Sequence, residues 1–388
     1  MSEHQQQGEP SLEAMLPVGI RSRMLPHING LDMHILEGGF ESPGRPLALL
    51  VHGYPELAFS WRHVMPALVG AGYHVVAPDL RGFGRTTGSA TDYDCDLMEF
   101  SFLSKVRDMM ALVEAVGQSQ ARIIVGHDLG SPVAAWCALV RPDIFRSVVM
   151  MSAPHPGVAP IGTPTLPAML KSLATDLAAL PRPRKYYLLY NCERGAAPDY
   201  DNPPQGLHDF FRAYFHYKSA DWSGNKPYRL AGRTAEEMAK MPTYYVMDMD
   251  KGMTATAADF MPNAEEIAAC RWLKDDEVAL FAAEYGRTGM QGPLNATYRP
   301  LSDPRIVAEM TSFAGRSIDV PAAFISGAQD WGNFQTVGAI EAMQTKGCSN
   351  MTQIHFVEGA GHWVQQEQPE QVTALILDFL KTTGEAHA

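Results

Sequence analysis

Hydrophobic and polar positions follow two different rhythms along this chain. Over residues 20–153, short runs of β-branched and aliphatic residues alternate with stretches whose apolar residues recur at helical spacing, the pattern of a mainly parallel sheet covered by helices. Residues 19–25 and 31–37 predict a hairpin at the sheet edge. They are followed by a strand over 47–51, a helix over 61–69 ended by Gly70, a strand over 73–77, and a helix over 98–116 stopped by Gly117. A strand over 121–125, a helix over 131–140 and a strand over 146–151 complete this part. Residues 155–312 then break the rhythm: they are rich in Pro, Tyr, Met and helix formers, with few β-branched runs, and predict a mostly helical insertion. The alternation resumes with a strand over 322–326, a helix near 336–344, a strand over 353–357 and a closing helix over 369–381. The expected fold class is α/β, with a discontinuous core of residues 18–154 and 313–388, a helical cap over 155–312, and a flexible N-terminal segment over 1–17.

Composition narrows the function classes. A chain of 388 residues that is 46% hydrophobic has enough apolar side chains for one large core and an accessory module. The net charge of -12, with no run of five Lys or Arg, argues against nucleic acid or an anionic membrane as partner. Cys95, Cys137, Cys192, Cys270 and Cys348 lie far apart without a C-x-x-C pattern, as expected of a reduced, cytoplasmic chain. The polar start lacks a signal-peptide core, and no later apolar run approaches the ~18 residues that span a bilayer. No repeat and no G-x-x-x-x-G-K phosphate loop is present, so nucleotide chemistry has no support. Assembly into a homo-oligomer is left open.

Three segments carry chemistry. In Val125-Gly-His-Asp-Leu-Gly130, a strand runs through a small-residue turn into a helix, the layout of a nucleophile elbow with Asp128 where a serine usually stands. The competing role for Asp128 is an ordinary helix cap. His52-Gly-Tyr-Pro55 follows an apolar strand and supplies the kind of loop from which the Tyr54 N–H, together with that of Leu129, converges on an oxyanion; His52 itself reads as a buried, satisfied histidine. Gly359-Ala-Gly-His-Trp363 places His362 on a loop after a late strand, the position of a general base. The acid that orients it belongs between nucleophile and base in chain order. Asp330 in Ile325-Ser-Gly-Ala-Gln-Asp330 fits, and its competitor Glu358 is too near His362 in sequence.

With Ser60-Trp-Arg62 and Ala77-Pro-Asp-Leu-Arg-Gly-Phe-Gly-Arg85, these segments resemble, in order, the signatures of the α/β-hydrolase-fold epoxide hydrolases, relatives of the haloalkane dehalogenases. The resemblance implies an alkyl ester formed on Asp128 and hydrolysed by water that His362 and Asp330 activate, with no metal and no organic cofactor. It also implies two cap tyrosines that protonate the epoxide oxygen. Tyr298, in Gly292-Pro-Leu-Asn-Ala-Thr-Tyr-Arg299, resembles one with an extra residue before it, and Tyr187 resembles the other, with Tyr186 as its competitor. Trp61, Trp363 and His155 are candidate substrate-binding residues, His155 also reading as a histidine that fixes the core-to-cap crossover. The expected partners are a small-molecule substrate, an apolar and bulky epoxide, and water. A haloalkane or haloacid dehalogenase would share the triad, but Leu129 stands where those relatives carry a halide-binding Trp or an Arg. A ligand-binding protein of this fold that has lost catalysis is the remaining alternative, and it would have no need of all three triad residues.

Overall fold

The computed structural model describes residues 11–163 and 166–384. Among the described residues ten strands form in chain order: β1 (Ile20–Ile28), β2 (Leu31–Gly38), β3 (Leu47–Val51), β4 (His74–Pro78), β5 (Ala121–His127), β6 (Val148–Met151), β7 (Arg184–Tyr186), β8 (Val246–Asp248), β9 (Ala322–Gly327) and β10 (Met351–Val357). Eight of them build one sheet in the order β1-β2-β4-β3-β5-β6-β9-β10. β1 and β2 are an antiparallel hairpin, β2 joins β4 antiparallel, and every pairing from β4 to β10 is parallel. The continuous apolar runs have a simple cause. β3, β4, β6 and β9 are buried along their whole length, as strands covered by helices on both faces must be.

Local sequence trims several predicted elements. The stretch predicted helical over 61–69 divides into a 3-10 turn, Ala58–Trp61, and a helix, Met65–Gly70, with a proline in its first turn, where its missing N–H is harmless. Ser101 caps the helix Phe102–Ala115 by accepting from the Ser104 N–H, so that helix starts after the predicted point. The region near 336–344 is shorter than predicted: helix Ala339–Ala342 follows the left-handed Gly338 and gives way to a π turn over Met343–Gly347. At the start of the chain, Leu12–Met15 is a helical turn with Leu12 buried and Glu13 paired to Arg85. Of the segment expected to be flexible, 1–17, residues 1–10 lie outside those described.

The insertion between β6 and β9 is mostly helical, its longest helices being Leu166–Ala178, Leu207–Lys218 and Asp275–Thr288. It also contains a feature the helical pattern does not predict, the antiparallel pair β7–β8. Its own core is aromatic: Phe210, Phe211, Tyr214, Phe215 and Tyr217 on helix Leu207–Lys218 are all buried. Among the described residues no helix is long and apolar enough to cross a membrane.

Candidate active site

The turn after β5 is built to present one side chain. Asp128 has φ 50°, a left-handed conformation that a non-glycine residue adopts only under constraint from its surroundings. Small neighbours make this turn possible. A Cβ on Gly126 would run into the Gly130 carbonyl, one on Gly130 into the Val51 carbonyl, and one on Gly53 into the Asp128 side chain. The following helix, Gly130–Val140, starts without a side-chain cap. The Asp128 carboxylate therefore does not serve as a helix cap, and its Oδ1 accepts from the Tyr54 N–H at 2.9 Å. The Leu129 N–H, the second predicted oxyanion donor, makes no bond to the carboxylate in this state.

The other carboxylate oxygen, Oδ2, lies 3.4 Å from His362 Nε2. His362 sits on the loop after β10, and its Nδ1 is 3.1 Å from Asp330 Oδ2. Asp330, on the loop after β9, is fixed in turn by the Gly332 N–H, which donates to Oδ1 at 2.7 Å. Glu358 is exposed and takes no part. Nε2 of His362 has no hydrogen-bond partner among the described residues, which leaves it free for a proton. Burial pushes the Asp128 carboxyl up, but the adjacent His362 imidazole, with the Lys218 ammonium, outweighs burial and holds it well below the usual range. Burial and Lys218 push the His362 imidazole down, yet Asp330 and Asp128 prevail and leave it above the ordinary histidine value. A quarter of the Asp128 side chain remains accessible while His362 is almost sealed, so the carboxylate is the reachable part of the pair.

Aromatic side chains of the insertion close over this centre. Tyr187 and Tyr298 pack edge to face with ring centroids 5.8 Å apart, and Tyr298 packs on Tyr54 at 5.1 Å. Burial first, then neighbouring tyrosines and the charge of Asp128, raise both phenols well above the ordinary value. They remain protonated at neutral pH. Of the two competing residues, Tyr187 is the one beside Tyr298; Tyr186 packs behind it at 5.4 Å.

Several contributors were not singled out from the sequence. Lys218 is buried, its Nζ 5.2 to 5.7 Å from the ring centroids of Tyr214, Tyr244, Tyr245 and Trp363, and its carbonyl accepts from the His362 N–H at 2.9 Å. His127, next to the nucleophile, meets Glu56 through Nδ1 and the His362 carbonyl through Nε2, each at 2.6 Å. Glu56 also accepts from Gln365 and Gln366, and Arg62 links Gln366 to Glu277 on helix Asp275–Thr288. Glu367 accepts from the N–H groups of Ala220, Gly361 and Trp363. The available signal was a polar residue inside an otherwise apolar segment, as at His127 in β5, but its partners lie far away in sequence.

The remaining expectations sort by contact. His52 accepts from the Leu80 N–H at Nε2 and faces the Gly53 carbonyl with Nδ1, which makes it the satisfied loop histidine. Trp363 packs on His362 with centroids 4.7 Å apart and donates its indole N–H to the Phe215 carbonyl, so it braces the base against the insertion. Trp61 is fully buried, and its indole N–H has no partner among the described residues. His155 is buried with Nε2 unpartnered, and burial takes its imidazole down to about 4; no bond from Nε2 fixes the crossover. Ser131 donates to the Ala153 carbonyl at the entrance to the insertion. Among the described residues no three His, Cys, Asp or Glu side chains converge so as to hold a metal ion.

Similarity to known proteins runs over nearly the whole chain. A family profile described as alpha/beta hydrolase fold matches residues 46–190. Epoxide hydrolase A of Mycobacterium tuberculosis is 30% identical over 367 residues, which cover 94% of this chain and 98% of that protein. The crystal structure of epoxide hydrolase A from Mycobacterium thermoresistibile has 31% identity and a TM-score of 0.72, covering 93% of this chain and 98% of its own. Epoxide hydrolase I of potato, Solanum tuberosum, follows with 28% identity, a TM-score of 0.73 and coverage of 94% and 99%. Likeness at this level extends through both parts of the discontinuous core and the insertion between them, and on that ground the chain belongs to the epoxide hydrolases of the α/β-hydrolase fold.

Proposed function

We propose that the protein converts an epoxide and water to a vicinal diol through a covalent ester on Asp128. One observation carries the reading: the two oxygens of Asp128 face different partners, Oδ1 the Tyr54 N–H at 2.9 Å and Oδ2 the base His362 at 3.4 Å. Oδ2 attacks an epoxide carbon, the C–O bond breaks, and the departing oxygen takes a proton from Tyr187 or Tyr298. Oδ1 becomes the ester carbonyl oxygen. Water then gives a proton to His362 Nε2 and attacks the ester carbon, while the negative charge gathering on Oδ1 is met by the Tyr54 and Leu129 N–H groups. Collapse releases the diol. His362 returns its proton to the leaving alkoxide, the second water proton restores the phenol, and Asp330 holds the imidazole in the required orientation.

Residues 155–312 act in this reading as a cap domain on a core of residues 18–154 and 313–388. The aromatic side chains around Asp128 suit a bulky apolar epoxide, with Trp61, His155 and Trp363 as wall residues. The five cysteines, all free among the described residues, suit a reducing cytoplasm.

Replacing His362 by Gln removes the base but leaves the nucleophile, so the variant should stall at the ester. Peptide mass spectrometry after incubation with terminal epoxides is expected to find the Asp128 peptide heavier by the whole mass of the epoxide. An adduct that forms from haloalkanes with loss of halide, and none from epoxides, would make the enzyme a dehalogenase instead.

A further inference from the structure

Gln335 ends the short helix Gly332–Gln335 that follows Asp330. Its Nε2 donates to the Tyr187 hydroxyl at 2.8 Å and to that of Tyr186 at 2.9 Å. A phenol oxygen carries one proton and two acceptor sites. A donor on one acceptor site leaves the proton uncommitted and turns it away from that donor. The same bond grows stronger if the phenol gives up its proton, since the oxygen then bears charge. Tyr298, by contrast, has no hydrogen-bond partner for its hydroxyl among the described residues, so the two phenols that flank each other are not held alike. The geometry points to a role for Gln335 that rests on the reading of Tyr187 as an acid: Gln335 is a positioning residue for ring opening, aiming the Tyr187 proton into the site and stabilising the phenolate left behind.

The placement has a second aspect. Asp330 orients His362 from the same loop, and the Gln335 N–H is tied back to the Trp331 carbonyl at 3.0 Å. One short stretch of the core thus supports the base of the second step directly and the acid of the first step across the boundary with the insertion.

The test is single-turnover kinetics that separate ester formation from ester hydrolysis. Gln335→Met keeps length but removes the donor, and ester formation should slow about 10- to 100-fold while hydrolysis changes less than about threefold. In a Tyr187→Phe background the same substitution should add nothing. Gln335→Glu is nearly isosteric, yet its carboxylate accepts the Tyr187 proton; ester formation should be slower than in Gln335→Met, and slower still as pH rises and the introduced acid ionises. A structural role alone would make Glu the milder change and would slow both steps alike, which would overturn the proposal. So would a full Gln335→Met effect surviving in Tyr187→Phe, or normal ester formation in Gln335→Met. If Gln335→Met does not fold, the Gln335→Glu rates and their pH dependence decide alone. A Tyr187→Phe enzyme with undiminished ester formation would instead remove the assignment of the acid, a failure distinct from that of Gln335.

Discussion

His362 faces two carboxylates, Asp330 and Asp128, and in the proposed reaction only the first keeps its charge throughout. Asp330 and Asp128 together lift its imidazole above the ordinary value, against burial and the Lys218 ammonium. In the proposed ester Asp128 is neutral and no longer contributes, while Asp330 and Lys218 remain and the phenol that gave up its proton bears a charge; Asp128→Asn removes the same carboxylate charge without that phenolate. A base must be unprotonated to act, so in the proposed mechanism hydrolysis of the ester fails as pH falls through the pKa of the imidazole. The His362 titration seen by NMR in Asp128→Asn should therefore sit roughly one pH unit below that in the parent enzyme. The reverse order would show that Asp128 does not govern the imidazole. Asp128, Asp330 and His362 were legible in the sequence because each follows a predicted strand and a glycine marks each turn. Lys218 and Gln335 were not, because nothing local distinguishes them from a solvated cation and a polar loop residue; the fold brings Tyr244, Tyr245 and Trp363 around Lys218 and sets Gln335 against Tyr186 and Tyr187.

Strands and turns set how exactly those side chains can be placed. The elbow packs so closely that Gly126 has no room for a methyl group, whereas Gly70, at the end of helix Met65–Gly70, faces open space with ordinary backbone angles. Gly126→Ala should lower stability by about 1–3 kcal/mol and slow ester formation, while Gly70→Ala should stay within about 0.5 kcal/mol of the parent. Urea denaturation of the two variants makes the comparison, and equal midpoints would mean that the elbow relaxes freely. The buried strands were readable as apolar runs because both faces of the sheet are covered. β7 and β8 escaped notice for the opposite reason: each is three residues long, and neither shows an alternation until it is paired with the other.

At the scale of the molecule, polar bridges join the insertion to the core through the site itself. Arg62 is 1% exposed and reaches Glu277 at 2.6 Å and Gln366 at 2.7 Å. Its loss leaves Glu277 charged and nearly unpaired, so Arg62→Met should cost about 3–5 kcal/mol, and adding Glu277→Gln should recover a large part of that. A double variant no better than the single one would assign the loss to Arg62 packing on Phe59. The strand order has a consequence of its own during synthesis. β6 pairs with β9, but roughly 170 residues separate them, and a ribosome working at about 5–20 residues per second needs on the order of ten seconds or more to bridge that gap. For that interval the nascent sheet presents the bare margin of β6 to its surroundings. Asp128 has already emerged by then, while Asp330 arrives with β9, the strand that covers that margin, and His362 with β10 on its far side, so the candidate site is completed only after that margin is covered.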